Sequence, residues 1–217
     1  MCLTHAYRLV CNARMVTRQT DLTRDKLLQA AFNEIHLYGF QAASIANILR
    51  DTGLTKGALY HHFPTKQELG LAVIDEVVGE QLEAGIFSRL RGSGQPVQTL
   101  LKLIDEAGRK SELEAVILGC PLNNLMQEMS PLDEEFKTRL NRILSIWQAE
   151  VEDALKRDKK AGVVRSDVDC RAAALFIVSA WEGCVGIAKS QQSLKNFGMC
   201  MKQLHHYVQS LSVSQEK

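Results

Sequence analysis

Several patterns are scarce in this 217-residue chain, and each absence narrows the choices. Cys-x-x-Cys spacing does not occur: the six cysteines, Cys2, Cys11, Cys120, Cys170, Cys184 and Cys200, are scattered. That argues against a zinc module or a disulfide framework and predicts reduced thiols in a cytosol. Alternating β-branched runs and Asn-Gly or Asp-Gly dipeptides are missing, so nothing announces a strand or a hairpin. The first residues hold no apolar run long enough for a secretory signal. The most apolar window, AAALFIVSAW over residues 172–181, falls short of the ~20 residues of a membrane span and reads as a buried helix. These absences predict a cytoplasmic, all-α protein, long enough to bury a core without metal or disulfide staples.

Charge is present but unevenly divided. Residues 1–66 carry eight Lys/Arg against four Asp/Glu, and the remainder carries 18 against 21. A small basic end on a larger acidic one suggests a polyanion-binding head on a body that polyanions do not attract.

Helical periodicity is nearly continuous. A first helix begins near Thr23 and spaces Leu27, Leu28, Ala31, Phe32 and Ile35 along one stripe before Gly39 ends it. Ser44 caps a second, short helix, Gly53 supplies a tight turn, and Thr55 caps a third that holds Leu59. Pro64 ends the third, and Thr65 caps a fourth that runs toward Phe87. The clearest break is RGSGQP at residues 91–96. Beyond it the pattern predicts helices over about 97–110 and 122–129, a long one with Ser130 as cap and Pro131 at its first position, then helices over about 167–189 and 193–210.

The second and third helices form a helix-turn-helix, whose second helix enters the major groove of DNA. Leu54 and Leu59 anchor that helix inward, which leaves Lys56, Gly57, Ala58, Tyr60 and His61 pointing out. Gly57 and Ala58 are small enough to let the backbone reach base edges, while Lys56, Tyr60 and His61 can donate to phosphate oxygens. Periodicity alone leaves open a blander reading, with Tyr60 and His62 in the core and Lys56 and His61 merely solvated. A metal site at His61 and His62 is disfavoured, because adjacent residues face different sides of a helix and no ligand stands at i+4 of either.

The run SIANILRDTGLTKGALYHHFPTKQELGLAVI closely resembles the DNA-binding domain of the tetracycline-repressor (TetR) family of bacterial transcriptional regulators. The resemblance covers residues 23–78. It implies a three-helix DNA-binding head over 21–66, joined by a fourth helix to a divergent helical ligand-binding and dimerisation domain over 67–217, and a homodimer on a palindromic double-stranded DNA operator. By position it assigns phosphate contacts to Ser44, Thr55, Lys56, Tyr60, His61 and Lys66, and base reading to Gly57 and Ala58. One departure is Leu49, which stands four residues before Gly53 where the family often has a small Ala. The pattern also makes Met15 a more usual start, so residues 1–20 read as a flexible basic extension in which Arg14 and Arg18, with Arg24 beyond it, are candidates for an arm on the DNA backbone.

In the larger domain the resemblance places a dimer interface on the helix carrying Phe176, Ser179, Gly183 and Gly186, mostly small residues at three- and four-residue spacing. It places a small-molecule inducer pocket near Cys120, Met126, Met129, Trp147 and Trp181; ordinary core packing is the alternative for the Met and Trp residues. Cys120 precedes a helix start, where the dipole would lower a thiol's pKa and permit electrophile or redox sensing. An enzyme would need a Cys-His or Ser-His pair held by a third group, and nothing in the sequence pairs Cys120 with a histidine. The expected protein is therefore a ligand-released repressor, not an enzyme, with no metal, cofactor or membrane partner.

Overall fold

The computed structural model describes residues 22–110 and 112–213. Regular structure among them is helical apart from one isolated antiparallel bridge, Val164 to Ser212. The chain divides into two compact units, residues 1–77 and 78–217.

The smaller unit begins with α1 (22–38), followed by α2 (Ile45–Thr52) and α3 (Lys56–His62). A helical run, α4, starts in this unit and continues past its end, covering residues 66–91 with two π-helical stretches, Val73–Val78 and Glu83–Phe87. The caps fall where side-chain chemistry predicts them. Ser44, Thr55 and Thr65 each accept the amide of the residue three positions on, which satisfies a donor that the first turn leaves unpaired. Gly39 and Gly53 close the preceding helices at φ 83° and 66°, left-handed values that glycine adopts without steric cost. Leu27, Leu28, Ala31 and Ile35 of α1 join Ile48, Leu59 and Phe63 in one core. Leu49 is half-buried beside them.

Periodicity does not announce Glu34. It lies in the stripe of α1 that faces inward and is only 7% exposed. Its Oε1 accepts the Ser44 backbone N–H at 3.0 Å and Asn47 Nδ2 at 2.9 Å, and so ties α1 to the start of α2.

The larger unit contains α5 (Pro96–Lys110), α6 (Leu113–Leu118), α7 (Pro121–Met129), α8 (Glu134–Lys160), α9 (Cys170–Gln191) and α10 (Leu194–Ser210). Chiefly, α5 packs on α10, α8 on α9, and α9 on α10. The 27-residue α8 buries Phe136, Leu140, Ile143, Trp147, Val151 and Leu155 at helical spacing. Its start differs from the expectation: Asp133, not Ser130, is the cap. The Asp133 carboxylate accepts the amides of Glu135 and Phe136 at 2.9 and 3.0 Å, whereas Ser130 closes α7 through its own N–H to Met126 O. Asp158, buried in α8, accepts the Val97 N–H at 2.8 Å and caps α5 from a distance in sequence.

Two further expectations are corrected in α9 and α10. Cys184 and Cys200 are joined by a disulfide with a Cα–Cα distance of 5.6 Å, rather than being reduced. Helix packing, not local spacing, brings them together, so a search for Cys-x-x-Cys could not find them. The helix around AAALFIVSAW is 22 residues long and, by length and composition alone, would suffice to cross a membrane. Only one side of it is buried, with Ala173, Ala174, Ile177, Val178, Cys184 and Ala188 inside and Leu175, Phe176 and Ile187 exposed, so the expectation of a helix buried on more than one side does not hold for this chain alone.

Candidate nucleic-acid interface

Within the smaller unit, α3 buries one side and presents the other. Leu59 is fully buried, Leu54 is half-buried, and Thr55, Lys56, Gly57, Tyr60 and His61 are exposed, with Ala58 half-buried among them. Tyr60 is 39% exposed, which removes the reading that puts it in the core. Lys56 Nζ stands 5.8 Å from the Tyr60 ring centre, and the His61 and His62 rings meet edge-on at 5.3 Å. The surface thus carries an ammonium, a phenol and an imidazole around a patch with almost no side chain. A methyl group at Gly57 would meet only Thr55 Oγ1, at 3.9 Å, so the fold does not require glycine there.

The other assigned residues have local bonds that restrict what they can do. The Ser44 N–H is taken by Glu34, and its hydroxyl accepts from Asn47 N at 3.4 Å. Thr55 Oγ1 accepts from Ala58 N at 3.2 Å, which leaves the hydroxyl proton to donate outward. Lys66 Nζ donates to Gln41 O at 3.1 Å and sits 5.0 Å from the Phe40 ring centre, which fixes its charge beside the start of α4. Arg24, expected as part of an arm, is committed elsewhere: its guanidinium makes paired bonds of 2.5 and 2.6 Å to Glu76 and stacks over Phe63 at 5.1 Å. That pairing holds the Glu76 carboxyl below its usual range. Arg14 and Arg18 lie outside the described residues.

The larger unit brings some of the sequence-predicted pocket residues together. Trp147 and Trp181 meet edge-to-face at 5.8 Å, Met129 and Trp147 are each 2% exposed, and Met126 is half-buried. None of the five lines the groove of about 1030 Å³ whose walls include Lys102, Asp105, Arg165 and His205. Cys120 does precede α7, but the dipole does not govern its thiol. Although part of the residue meets solvent, the thiol is densely surrounded, and burial with the charge of Glu182 pushes its pKa well above the usual range. The Leu122 and Asn123 amides act in the opposite direction and are outweighed. The expectation of an activated thiolate is therefore corrected. Sequence reading did not single out Glu182, which is 7% exposed and raised by burial to about 7.

On the proposed interface helix, Phe176 is 51% exposed, Ser179 and Gly183 are exposed, and Gly186 is half-buried. Leu175 and Ile187 lie outward as well, at 53% and 58%, and the Phe176 ring meets Tyr207 of α10 at 4.6 Å.

A small helix-turn-helix unit followed by a larger all-helical one is the build of a DNA-binding regulator. Residues 27–73 match the family described as bacterial regulatory proteins, tetR family, and residues 96–204 match the tetracyclin repressor-like C-terminal domain. The chain belongs to the TetR family of transcriptional regulators. It is 34% identical over 136 residues to an uncharacterized HTH-type transcriptional regulator in the lacX 3' region of Lactococcus lactis, covering 61% of this chain and 68% of that one. It is 28% identical over 171 residues to the transcriptional regulator AcuR of Cereibacter sphaeroides, covering 77% of each, and 26% identical over 163 residues to the transcriptional repressor DhaR of a Mycobacterium, covering 73% and 80%. The fold matches a TetR transcriptional regulator from Chloroflexus aurantiacus with a TM-score of 0.78 at 23% identity, over 90% of this chain and 98% of that one. A regulatory protein TetR from Rhodobacter sphaeroides matches with 0.76 at 23% identity, over 88% and 100%.

Proposed function

We propose that this regulator is a cytoplasmic homodimeric repressor that binds a palindromic operator and is released by a small molecule. The observation that carries the reading is the outward face of α3: Lys56, Gly57, Tyr60 and His61 exposed around a buried Leu59, with Thr55 as cap. In this reading Gly57 and Ala58 meet base edges, and Ser44, Thr55, Lys56, Tyr60, His61 and Lys66 hold phosphates. Affinity then comes largely from counterion release. Two copies would place two α3 helices in successive major grooves, roughly 34 to 36 Å apart.

The exposed row of Leu175, Phe176, Ser179, Gly183 and Ile187 supports pairing through α9, because small residues let a second helix approach and large apolar ones gain by burial. A domain of this size, separate from the head, supports a regulatory role for a ligand. Such a ligand moves the equilibrium only by its differential affinity for the DNA-competent state and its alternative. The named repressor among the relatives supports repression as the outcome.

The test is fluorescence anisotropy of the purified protein on the DNA upstream of its own gene, at two salt concentrations, with Tyr60→Ala as control. Tight binding that falls steeply with salt and depends on Tyr60 is expected. Binding no stronger than to a random duplex, in ligand-stripped protein tested against a random pool as well, would overturn it.

A further inference from the structure

Glu182 is one of three buried polar or charged side chains among the described residues, and the other two, Glu34 and Asp158, accept well-formed hydrogen bonds. Both Glu182 oxygens lack a hydrogen-bond partner there. The carboxyl lies where α9 packs against the start of α7. Asn123 Nδ2 of α7 donates to the Glu182 backbone carbonyl at 3.3 Å, and the Cys120 thiol, a weak donor, is near enough to act on the carboxyl.

The stronger donors of this cluster are engaged elsewhere. Lys189 Nζ, two turns along α9, donates to Asn124 Oδ1 at 2.9 Å, and Asn124 Nδ2 donates to Leu118 O at 2.8 Å. The Lys189 stem lies close over Gly119, where an added Cβ would come within 2.8 Å of its Cδ. Val178, one turn before Glu182, and Leu122 at the start of α7 are buried and apolar.

An ionised carboxylate in such surroundings is strongly unfavourable unless a proton or a hydrogen-bonding cation joins it. A neutral hydroxyl supplies one donor and no charge. An ammonium or amidinium supplies charge and at least two N–H groups, enough for both oxygens. We propose that Glu182 anchors the effector and that the effector is a hydrophobic amine or amidine, its protonated nitrogen on the two carboxylate oxygens. This rests on reading the larger domain as effector-binding. The Trp147 and Trp181 pair, with Trp181 adjacent to Glu182 in sequence, provides an internal reporter.

The experiment titrates the full-length protein near neutral pH with n-hexylamine and benzamidine, their neutral isosteres n-hexanol and benzamide, and the anions hexanoate and benzoate. Tryptophan fluorescence and calorimetry read binding, and anisotropy on the upstream DNA is followed in parallel. An amine should bind about tenfold or more tightly than its isosteres, and Glu182→Gln should lose that preference while Glu182→Asp keeps part of it. Circular dichroism checks that each variant is folded. Absence of amine binding, or amine binding unchanged in Glu182→Gln, overturns the proposal. A neutral or anionic probe that releases DNA independently of Glu182 also overturns it, while leaving the effector reading intact. Glu182-dependent amine binding that leaves DNA affinity unchanged supports the site and refutes its effector role.

Discussion

Glu34 holds Ser44: a buried carboxylate on α1 accepts the backbone N–H that opens α2, at 3.0 Å, and through Asn47 it holds the first turn as well. The placement of the start of α2 against α1 therefore rests in part on one buried side chain. Glu34→Ala should cost about 1.5–3 kcal/mol, the range for hydrogen bonds to a charged group. It should also weaken DNA binding without changing sequence preference. Urea denaturation beside anisotropy on cognate and random duplexes measures both, and an unchanged stability would show that the bond carries little.

The two glycines of this motif should respond in opposite directions. Gly57 is helical and open to solvent, so Gly57→Ala should stabilise the head by roughly 0.5–1 kcal/mol. The same methyl should hinder backbone approach to base edges and lower operator affinity. Gly53 sits at φ 66°, and Gly53→Ala should destabilise by about 1–2 kcal/mol despite open space around it. Thermal unfolding that moved the same way in both variants would contradict this.

Lys56→Ala should weaken binding to all duplexes alike and reduce the salt slope by about 1. Ala58→Leu should instead change which sequences are bound. Competition of a cognate against a random duplex over a salt series separates the two, and a reversed pattern would exchange the roles of these residues.

Burial raises the Glu182 carboxyl from its ordinary 4.5 to about 7. Between those values the folded chain keeps a proton that the unfolded chain has lost. This group therefore favours folding most at low pH, and its contribution falls as pH rises from 4.5 to 7, by roughly 3 kcal/mol in full. Glu182→Gln should remove that slope and gain on the wild type at pH 8 relative to pH 4.5. A stability difference independent of pH would contradict the described burial.

The Cys184–Cys200 bond closes a 16-residue separation, and Cys200→Ser should cost about 3 kcal/mol in oxidising buffer. In dithiothreitol the variant and the wild type should unfold nearly together. Equal stability in both buffers would show that the bond contributes nothing.

The head was legible in the sequence because its determinants are local. Ser44, Thr55 and Thr65 cap through bonds spanning three residues, Gly53 turns the chain on its own, and Leu59 is one position of a helical period. What escaped depends on residues far apart in sequence. Asp158 caps α5 from 61 residues away, and no spacing rule joins them. Arg24 reads as a basic arm until Glu76 is placed beside it. Cys120 reads as a dipole-activated thiol because the cap is local, whereas its burial and Glu182 are tertiary. The early cap assigned to Ser130 failed for a nearer reason: Ser-Pro is a good opening, but Asp133 accepts two amides and wins.

One covalent link gives the sample a history. Cys184 and Cys200 tie α9 to α10, and α9 also carries the exposed Phe176 and Ile187. The bonded chain and its reduced form differ by two hydrogen atoms. Dissociation constants for DNA, for a ligand or for a second subunit therefore belong to one chemical species or the other, and a value recorded without the thiol state of the protein is an average over both.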